Sequence, residues 1–210
     1  MSLPFSPPAA LITGASRGIG AAAARLFAAN GYDLLLLARS AHALEALASE
    51  LRAGGQRVET CCVDLADPAA IAPALAELLG RGLAPSVVVN NAGAAYTGPL
   101  ATMPVEQWQW LFQLNVTSVV QVCQAVLPGL RERGGHIINV SSHAARNAFP
   151  DWGAYCASKA ALAAFSRCLA EEERSQGVRV STLTLGAVNT PLWDSATVHS
   201  SFDRRAMLAP

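Results

Sequence analysis

The sequence predicts an α/β protein whose parallel sheet is covered by helices on both faces. Residues 9 to 13 form a short apolar strand that passes through a glycine-rich turn directly into an alanine-rich helix. Residues 32 to 38 form a second strand with a nearly continuous run of leucines, which is typical of a parallel strand buried on both faces. Hydrophobic residues make up 52% of the chain and charged residues 14%, a balance that suits such an interior.

The length and charge of the chain limit the classes of protein to consider. The 210 residues suit a single domain, residues 1–210. Fifteen basic and fifteen acidic side chains cancel and no basic block occurs, so neither a nucleic acid nor an anionic membrane is an expected partner. The first eight residues lack a charged start, and no run reaches the ~20 apolar residues of a membrane span. We expect a soluble, cytoplasmic protein.

The five cysteines and four histidines predict neither a disulfide framework nor a metal site. The cysteines are odd in number and form no C-x-x-C pair, and the histidines have no metal-ligand spacing. The cysteines are expected to be reduced, apolar filling residues. His143 could line a site because it follows Ser142 at the end of a predicted strand, but a bystander role is the preferred interpretation.

The glycine-rich turn, residues 13 to 20, has the context that a phosphate-binding turn requires. It follows the pattern G-x-x-x-G-x-G between a strand and a helix. Glycines let the backbone approach a pyrophosphate, and a helix N-terminus supplies free N–H groups and the positive end of its dipole. A glycine turn without a ligand is the alternative, but the flanking strand and helix favour cofactor binding. The predicted contacts are Gly14, Ser16, Arg17, Gly18, Ile19 and Gly20.

The end of the second strand predicts which dinucleotide binds. In dinucleotide-binding folds an acidic residue there holds the ribose hydroxyls, whereas a basic residue accommodates a 2′-phosphate. This position offers Ala38 and Arg39, with Arg17 in the glycine turn, while Asp33 lies at the opposite end of the strand. Two guanidinium groups and a missing carboxylate favour NADP(H) over NAD(H).

Helices and strands continue to alternate after this point. Ser40 is expected to cap the second helix, residues 57 to 63 form the third strand, and Asp64 at its end is placed to contact an adenine. Asp67 is expected to cap the third helix. Pro73 fits badly inside that helix because an interior proline clashes with the carbonyl four residues back. This helix is therefore expected to begin late or with a distorted turn.

Residues 86 to 89 are predicted to form the fourth strand, which a loop of small and amide residues follows. Such residues at the end of a central parallel strand suit a backbone close to a ligand, although loops of this composition are common. The predicted cofactor contacts in this loop are Asn91, Ala92 and Gly93.

A long helix is predicted to begin after Pro104, with Pro128-Gly129 marking a kink or an early end. Asn115 is an amide on its otherwise apolar face. It is either a satisfied buried polar group or a residue that holds a water or a backbone group near the site. The predicted inward face comprises Trp108, Leu111, Asn115, Val119, Val122 and Val126.

The helix after the fifth strand carries Tyr155 and Lys159 on one face, because they are four residues apart. Tyrosine titrates near ~10, and an ammonium one turn away in a partly dry cleft would lower that pKa. An exposed tyrosine and a solvated lysine are the alternative. Ser142 ends the fifth strand, and residues 178 to 185 form a sixth strand after this helix ends near Gln176.

Six motifs in this order resemble those of the short-chain dehydrogenase/reductase family. They are Thr13-Gly14-x-x-x-Gly18-Ile19-Gly20, Asp64, Asn90-Asn91-Ala92-Gly93, Asn115, Ser142 and Tyr155-x-x-x-Lys159. The resemblance runs from the first strand to the sixth. It implies a doubly wound Rossmann sheet with strand order 3-2-1-4-5-6 and a nicotinamide cofactor.

The resemblance also implies a catalytic role for each of four residues. Tyr155 would be the general acid in carbonyl reduction and the base in alcohol oxidation, and Ser142 would hydrogen-bond the substrate oxygen. Lys159 would lower the tyrosine pKa and bind the nicotinamide ribose. Asn115 would steady a water that relays protons to Lys159, and the hydride transfer itself would belong to the cofactor.

Two departures from the family pattern lie near the end of the chain. Leu185 stands where the family usually has a proline, while Val188 and Thr190 are retained and are expected to contact the nicotinamide carboxamide. Family members usually continue for several dozen residues and add a seventh strand, which is missing here. The sixth strand, residues 178 to 185, is then an edge that the tail, a partner subunit or a further segment should cover.

The leading hypothesis is an NADP(H)-dependent oxidoreductase acting on a small or medium carbonyl or alcohol. An epimerase or dehydratase on the same site, and a non-catalytic cofactor-binding scaffold or sensor, are the rivals. The resemblance further implies a homodimer through the helices that begin near Pro104 and Gly153, with larger assemblies such as a tetramer weakened. The alanine-rich face expected to permit close helix packing comprises Ala157, Ala160, Ala161 and Ala164.

Overall fold

A computed structural model of the chain, which describes residues 7–199 and 202–210, shows six parallel strands with helices on both faces. The strands are β1 (Ala9–Thr13), β2 (Asp33–Ala38), β3 (Val58–Cys62), β4 (Pro85–Asn90), β5 (Gly135–Ser142) and β6 (Val178–Leu185). The helices are α1 (Gly18–Ala29), α2 (Ala41–Ala53), α3 (Pro68–Gly80), α4 (Val105–Phe112), α5 (Ser118–Arg133) and α6 (Gly153–Glu173). The predicted fold is confirmed, with strand order β3-β2-β1-β4-β5-β6.

The sheet separates two apolar layers because successive side chains of a strand point to opposite faces. In β2, Leu35 and Leu37 pack with the layer that includes α3 and α5, whereas Leu34 and Leu36 pack with the layer that includes α1 and α2. All four leucines are fully buried. The leucine run therefore has the structure expected of a parallel strand covered on both faces.

The direction in which the chain adds strands reverses between β1 and β4. Strands β2 and β3 extend the sheet on one side of β1, and the chain then crosses back to place β4 on the other side. At such a reversal the loops after the two central strands diverge and leave a crevice at the carboxyl edge of the sheet. This crevice lies between the glycine turn after β1 and the loop after β4.

The expectation that Pro73 delays or distorts the start of α3 is wrong. The helix begins at Pro68, and the Asp67 carboxylate accepts a hydrogen bond from Ala69 N at 3.0 Å. A proline at this position removes a single backbone hydrogen bond. Burial of the apolar face of α3 offsets that loss. Ile71 on this face, for example, is fully buried.

The long helix after Pro104 differs from its prediction in two respects, of which the first is the course of its backbone. A π-helical turn, Gln113–Thr117, joins α4 to α5, and α5 continues past Pro128 to Arg133, so no early end occurs. Pro128 is exposed, as is Gln124, whose carbonyl lacks the usual helical partner, so water can satisfy it.

Trp108 is the second difference, because it was predicted to face inward. Its exposed fraction is 37%, and its ring stacks on Phe112 with centroids 4.7 Å apart. Helix α4 packs against α6 rather than against the strands, so its first turns lack the cover that the sheet gives to α5. Leu111 and the three valines of the predicted face are buried as expected.

One helical stretch, Val105–Arg133, is long and apolar enough to cross a membrane by length and composition, and its most apolar window has a mean hydropathy of 1.3. The sequence was expected to contain no run of ~20 apolar residues, and this stretch meets the criterion by its average, because polar side chains such as Asn115 and Gln121 interrupt it. Half of its most apolar window is buried inside the fold, where Val119, Val122 and Val126 join the core. The core helix of a globular domain satisfies the same criterion.

Strand β6 pairs with β5 over eight residues and has no second neighbour within residues 7–199 and 202–210. Leu183 on this edge is 45% exposed. The described tail does not pair with the strand: Leu208 forms an isolated parallel bridge with Val188 beyond it, and Thr197 bonds to Ala95 and Thr97 in the loop after β4. The described tail therefore leaves the edge open, and its cover by another chain or segment stays a prediction.

The turn between β1 and α1 is fixed to the loop after β4 by hydrogen bonds and close packing. The Thr13 hydroxyl oxygen accepts from the backbone N–H groups of Asn91 and Ala92, both at 3.0 Å. The Asn91 amide donates to the carbonyls of Thr13 at 3.0 Å and Gly14 at 3.2 Å. A Cβ atom at Gly20 would lie 2.3 Å from the Gly14 carbonyl oxygen, so glycine is required for α1 to pack this close to the turn.

We predict that Gly20→Ala lowers the free energy of unfolding by about 1–3 kcal/mol, because the added methyl group meets rigid backbone. Gly80→Ala is the matched control, since Gly80 is also helical and its Cβ would have no neighbour within 4 Å. The control should be neutral or stabilising by at most about 1 kcal/mol. Urea denaturation of both variants tests this, and equal stabilities would contradict the packing described.

Candidate active site

A cavity of about 930 Å³ runs along the carboxyl edge of the sheet, from the glycine turn to the start of α6 and the segment after β6. Most of the residues predicted from the sequence line it, whereas Gly20 and Asn115 do not. The predicted residues that line the cavity are Gly14, Ser16, Arg17, Gly18, Ile19, Arg39, Asp64, Asn91, Ala92, Gly93, Ser142, Tyr155, Lys159, Val188 and Thr190.

The N-terminus of α1 faces this cavity without a side-chain cap. Arg17 occupies the capping position and its side chain makes no capping hydrogen bond, whereas Ser40 and Asp67 cap the next two helices. Gly18 adopts a φ of +55°, in the left-handed region that favours glycine. The first N–H groups of α1 therefore remain available to an anionic ligand, and the helix dipole favours negative charge there.

The far end of the cavity carries a loose ion pair. Arg39 Nη1 lies 3.9 Å from Asp64 Oδ2, and both side chains are about half exposed. Asp64 also accepts a hydrogen bond from Ala66 N at 2.9 Å, which fixes its carboxylate in a turn. An exposed pair at this distance contributes little, so the Arg39 guanidinium can turn to a ligand phosphate at little cost.

Ser142, Tyr155 and Lys159 meet at the other end, where β5 terminates against the first two turns of α6. The Ser142 and Tyr155 hydroxyl groups share a hydrogen bond. Ser142 Oγ also accepts from Ala144 N at 3.2 Å, which positions it. Lys159 Nζ lies 5.8 Å from the Tyr155 ring centroid and donates to the Val140 carbonyl at 3.0 Å.

Burial moves the pKa values of both Tyr155 and Lys159. It raises the pKa of the Tyr155 phenol, and the hydrogen bond with Ser142 opposes this only in part. Burial lowers the pKa of Lys159 to about 8. The expectation of a lowered tyrosine pKa is therefore wrong for the protein alone, because removal of the phenol from water outweighs the favourable contacts of its ionised form.

Asn115 is a satisfied buried amide that also holds a backbone group beside the cavity, so the structure bears out the first alternative and the backbone part of the second. Its Oδ1 accepts from Ala94 N at 2.9 Å, and its Nδ2 donates to the Ala94 carbonyl at 2.9 Å and to Ser158 Oγ at 3.0 Å. These bonds connect the π-helical turn, the loop after β4 and the turn of α6 that carries Lys159. Both hydrogens of the Asn115 amide are bonded to protein atoms, so these hydrogens cannot hold a water. A water contact through another atom of Asn115 stays a prediction.

Comparison with known proteins identifies the family. The family model for short chain dehydrogenases matches residues 8–200. The chain belongs to the short-chain dehydrogenase/reductase family. It is 38% identical over 200 residues to the Mycobacterium bovis protein named Uncharacterized oxidoreductase Mb1570, covering 91% of this chain and 58% of that protein's length. The chain thus spans little more than half the length of this curated relative.

Two solved structures of the family extend the comparison to cofactor-bound proteins. A short-chain dehydrogenase from Sphingobium yanoikuyae in complex with NADPH matches with a TM-score of 0.87 and 33% identity, covering 96% of this chain and 79% of that one. L-sorbose reductase from Gluconobacter frateurii, complexed with NADPH and L-sorbose, matches with a TM-score of 0.86 and 33% identity, covering 92% and 74%.

Sequence reasoning missed the aromatic residues of the cavity. Trp152 precedes α6, and Trp193 lies in a short 3₁₀ turn after Thr190. Phe149 and Phe202 also line the cavity. His143, interpreted as a bystander, lines the cavity as well. In a short-chain dehydrogenase the loops after β4, β5 and β6 open on the same crevice, so the aromatic residues that follow β5 and β6 were the available signal.

The buried ammonium of Lys159 predicts a specific pH dependence of stability. Its pKa is about 8 in the folded protein and about 10.5 when unfolded, so the unfolded chain binds more protons between these values. The cost of burying the charge is present below pH 8 and disappears as the pH rises. Relative to Lys159→Met, we expect the wild-type free energy of unfolding to rise by up to about 3 kcal/mol between pH 7 and pH 10.5.

Urea denaturation of the wild type and Lys159→Met at several pH values tests this prediction. The difference between the two proteins removes the contributions of the other titrating groups. A difference that stays constant across this range would show that Lys159 is not buried as a cation.

Proposed function

We propose that the protein is an NADP(H)-dependent oxidoreductase that interconverts a carbonyl compound and the corresponding alcohol. The observation that carries this proposal is the meeting of Ser142, Tyr155 and Lys159 at one end of a cavity that also contains the glycine turn. The family relatives complexed with NADPH support the choice of cofactor.

The residues of the cavity fit NADP(H). The uncapped N-terminus of α1 suits the pyrophosphate, and Arg17 and Arg39 suit the 2′-phosphate. Asp64 lies with Arg39 at the far end of the cavity, and the loop Asn91 to Gly93 lies against the glycine turn. Val188 and Thr190 line the cavity on the segment after β6. When bound, reduced nicotinamide supplies the hydride that reduces the carbonyl carbon and is itself oxidised.

The chain supplies the proton. In the reducing direction the Tyr155 hydroxyl donates its proton to the carbonyl oxygen, and Ser142 donates a hydrogen bond to the same oxygen as negative charge develops. The raised pKa of Tyr155 keeps the phenol protonated at neutral pH, as an acid must be. In the oxidising direction the phenolate takes the proton back.

Lys159 stabilises the phenolate that proton donation leaves behind. Its pKa of about 8 keeps most of the ammonium charged at neutral pH. One of its three N–H bonds goes to the Val140 carbonyl, and the others can reach ligand hydroxyl groups in the cavity that Lys159 lines. A positive charge held this close acts strongly because the surrounding protein excludes water.

The meeting of Ser142, Tyr155 and Lys159 favours catalysis over the non-catalytic scaffold or sensor considered from the sequence. A scaffold can use Lys159 to bind the cofactor, but it does not need a phenol and a hydroxyl group placed beside that lysine. An epimerase or dehydratase would regenerate its cofactor, so net oxidation of NADPH distinguishes it from the proposed reductase.

The homodimer inferred from the resemblance remains a proposal. Of its alanine face on α6, Ala160 and Ala164 are exposed, which leaves them accessible to a second subunit. A cytoplasmic location is likewise proposed from the sequence.

We predict that Tyr155→Phe lowers kcat at least about 100-fold while the Kd of NADPH changes little, because the variant loses the proton donor but keeps the ring. Tyr32→Phe is the matched control, since Tyr32 packs on Phe27 away from the cavity. Steady-state NADPH oxidation and calorimetric NADPH titration measure the two quantities. A Phe variant that keeps most of its activity would show that another group donates the proton.

We predict that NADPH is preferred over NADH by about 1–3 kcal/mol in kcat/KM, from charge-assisted hydrogen bonds to the 2′-phosphate. Arg39→Ala should remove much of this preference while leaving the NADH value nearly unchanged. Arg25→Ala is the control, because Arg25 forms an exposed pair with Glu50 outside the cavity. Equal kcat/KM values for the two cofactors in the wild type would exclude the proposed phosphate site.

A further inference from the structure

The cavity beyond Tyr155 is bounded by aromatic rings in mutual contact. The Trp152 centroid lies 5.6 Å from that of Tyr155 and 5.6 Å from that of Trp193, and the Phe202 centroid lies 5.9 Å from that of Trp193. We call Trp152, Trp193 and Phe202 the aromatic wall. Because all three line the cavity beside the proposed proton donor, a group attached to the reacting carbonyl would lie against them.

The central ring of the aromatic wall is held in place by the surrounding backbone. Trp193 Nε1 donates to the Val188 carbonyl at 2.8 Å, so the polar edge of the indole is already satisfied. Arg204 donates to Asn189 Oδ1 at 2.9 and 2.7 Å and pairs with Asp194, on either side of the turn that carries Trp193. The indole therefore offers the cavity apolar surface at a fixed position.

Few polar groups accompany the aromatic wall. Ser142, Tyr155, His143 and Thr190 are among the polar side chains that line the cavity near it, and the first two are used for the reacting oxygen. Among the described residues that line the cavity, Asp64 is the one carboxylate, and it follows β3 at the opposite end of the sheet. A substrate with several hydroxyl groups would leave most of them without partners, which costs binding free energy.

A cationic substrate fits this arrangement less well than a neutral one. Aromatic cages bind quaternary ammonium groups by surrounding them with ring faces. Here neighbouring rings meet at interplanar angles of 72°, 60° and 80° and already contact one another, so they form one side of the cavity and leave no enclosed space between them. Among the described residues no carboxylate lines the cavity at this end, and Asp194 next to Trp193 is paired with Arg204, so a bound cation would lose its hydration without a charged partner in the cavity.

We propose that the aromatic wall selects neutral, apolar carbonyl compounds, with an aromatic or branched hydrocarbon group beside the carbonyl, over polyhydroxylated and cationic ones. This inference rests on the proposed oxidoreductase function for the reaction itself. The selection comes from apolar area removed from water and from ring contacts, and it falls mainly on KM.

The first experiment compares substrates of matched shape in NADPH oxidation by the wild type. Betaine aldehyde and 3,3-dimethylbutanal have the same shape, but the first has a positively charged nitrogen where the second has a neutral carbon. We expect kcat/KM to be about 10-fold or more higher for 3,3-dimethylbutanal. Benzaldehyde should likewise be preferred over L-sorbose. A preference for betaine aldehyde or L-sorbose would overturn the proposal.

The second experiment removes the central ring. Trp193→Ala should lower the ratio of kcat/KM for benzaldehyde to that for propanal by about 10-fold or more, while Trp193→Phe keeps most of it. Trp108→Ala is the matched control, because Trp108 lies outside the cavity on α4. Equal losses for both aldehydes in Trp193→Ala, or no change in the ratio, would assign the ring a merely structural role.

A binding measurement separates this proposal from the proposed function. Calorimetric titration in the presence of NADP⁺ compares 3,3-dimethylbutan-1-ol with choline, which has the same shape and a positive charge. Tighter binding of the neutral alcohol supports the aromatic wall even if no aldehyde is reduced, a result that would overturn the oxidoreductase function alone. Tighter binding of choline overturns the substrate class and leaves the oxidoreductase function standing if L-sorbose or betaine aldehyde is reduced.

Discussion

The geometry of the cavity depends on the hydrogen bonds that Thr13 accepts across the crevice. Its hydroxyl joins the glycine turn after β1 to the backbone of Asn91 and Ala92 after β4. This is the point at which the chain reverses the direction in which it adds strands to the sheet. Parallel strands leave their terminal loops free to diverge there, and these bonds set how far they do so. The Asn91 amide returns two bonds to the turn, so the floor of the cavity is one connected unit.

The end of the cavity proposed for catalysis is fixed by a second set of buried polar contacts. Asn115 holds the loop after β4 to Ser158, the residue before Lys159, and Lys159 itself donates to Val140 on β5. Each of these groups is almost completely buried, where an unpaired polar atom would be costly. The arrangement of Tyr155 and Lys159 therefore follows from hydrogen-bond requirements within the core as much as from the four-residue spacing on α6.

Local pattern was sufficient to predict the strands, the glycine turn and the helix that carries Tyr155 and Lys159, because each depends on residues close in sequence. Local pattern failed where the exposure or tolerance of a residue depends on the elements that pack around it. Trp108 has the spacing of an inward residue, yet α4 is not covered by the sheet at that point. Pro73 is tolerated because the apolar face of α3 is buried.

The direction of the Tyr155 pKa shift is a third case of this kind. It depends on how much protein surrounds the phenol, which spacing along a helix does not reveal. The aromatic residues of the cavity come from separate connections, and only the folded chain brings Trp152, Trp193 and Phe202 together.

The division of labour between elements has an evolutionary consequence. Ser142, Tyr155 and Lys159 lie on β5 and α6, whereas Trp193 and Phe202 lie on the segments that follow β6. Mutations in those segments can exchange the surface against which the proposed substrate packs while the proposed proton donor and its lysine stay in place. A fold organised in this way can acquire new substrates by drift in a short peripheral stretch, and directed evolution aimed at residues 191–199 and 202–208 would exploit the same freedom.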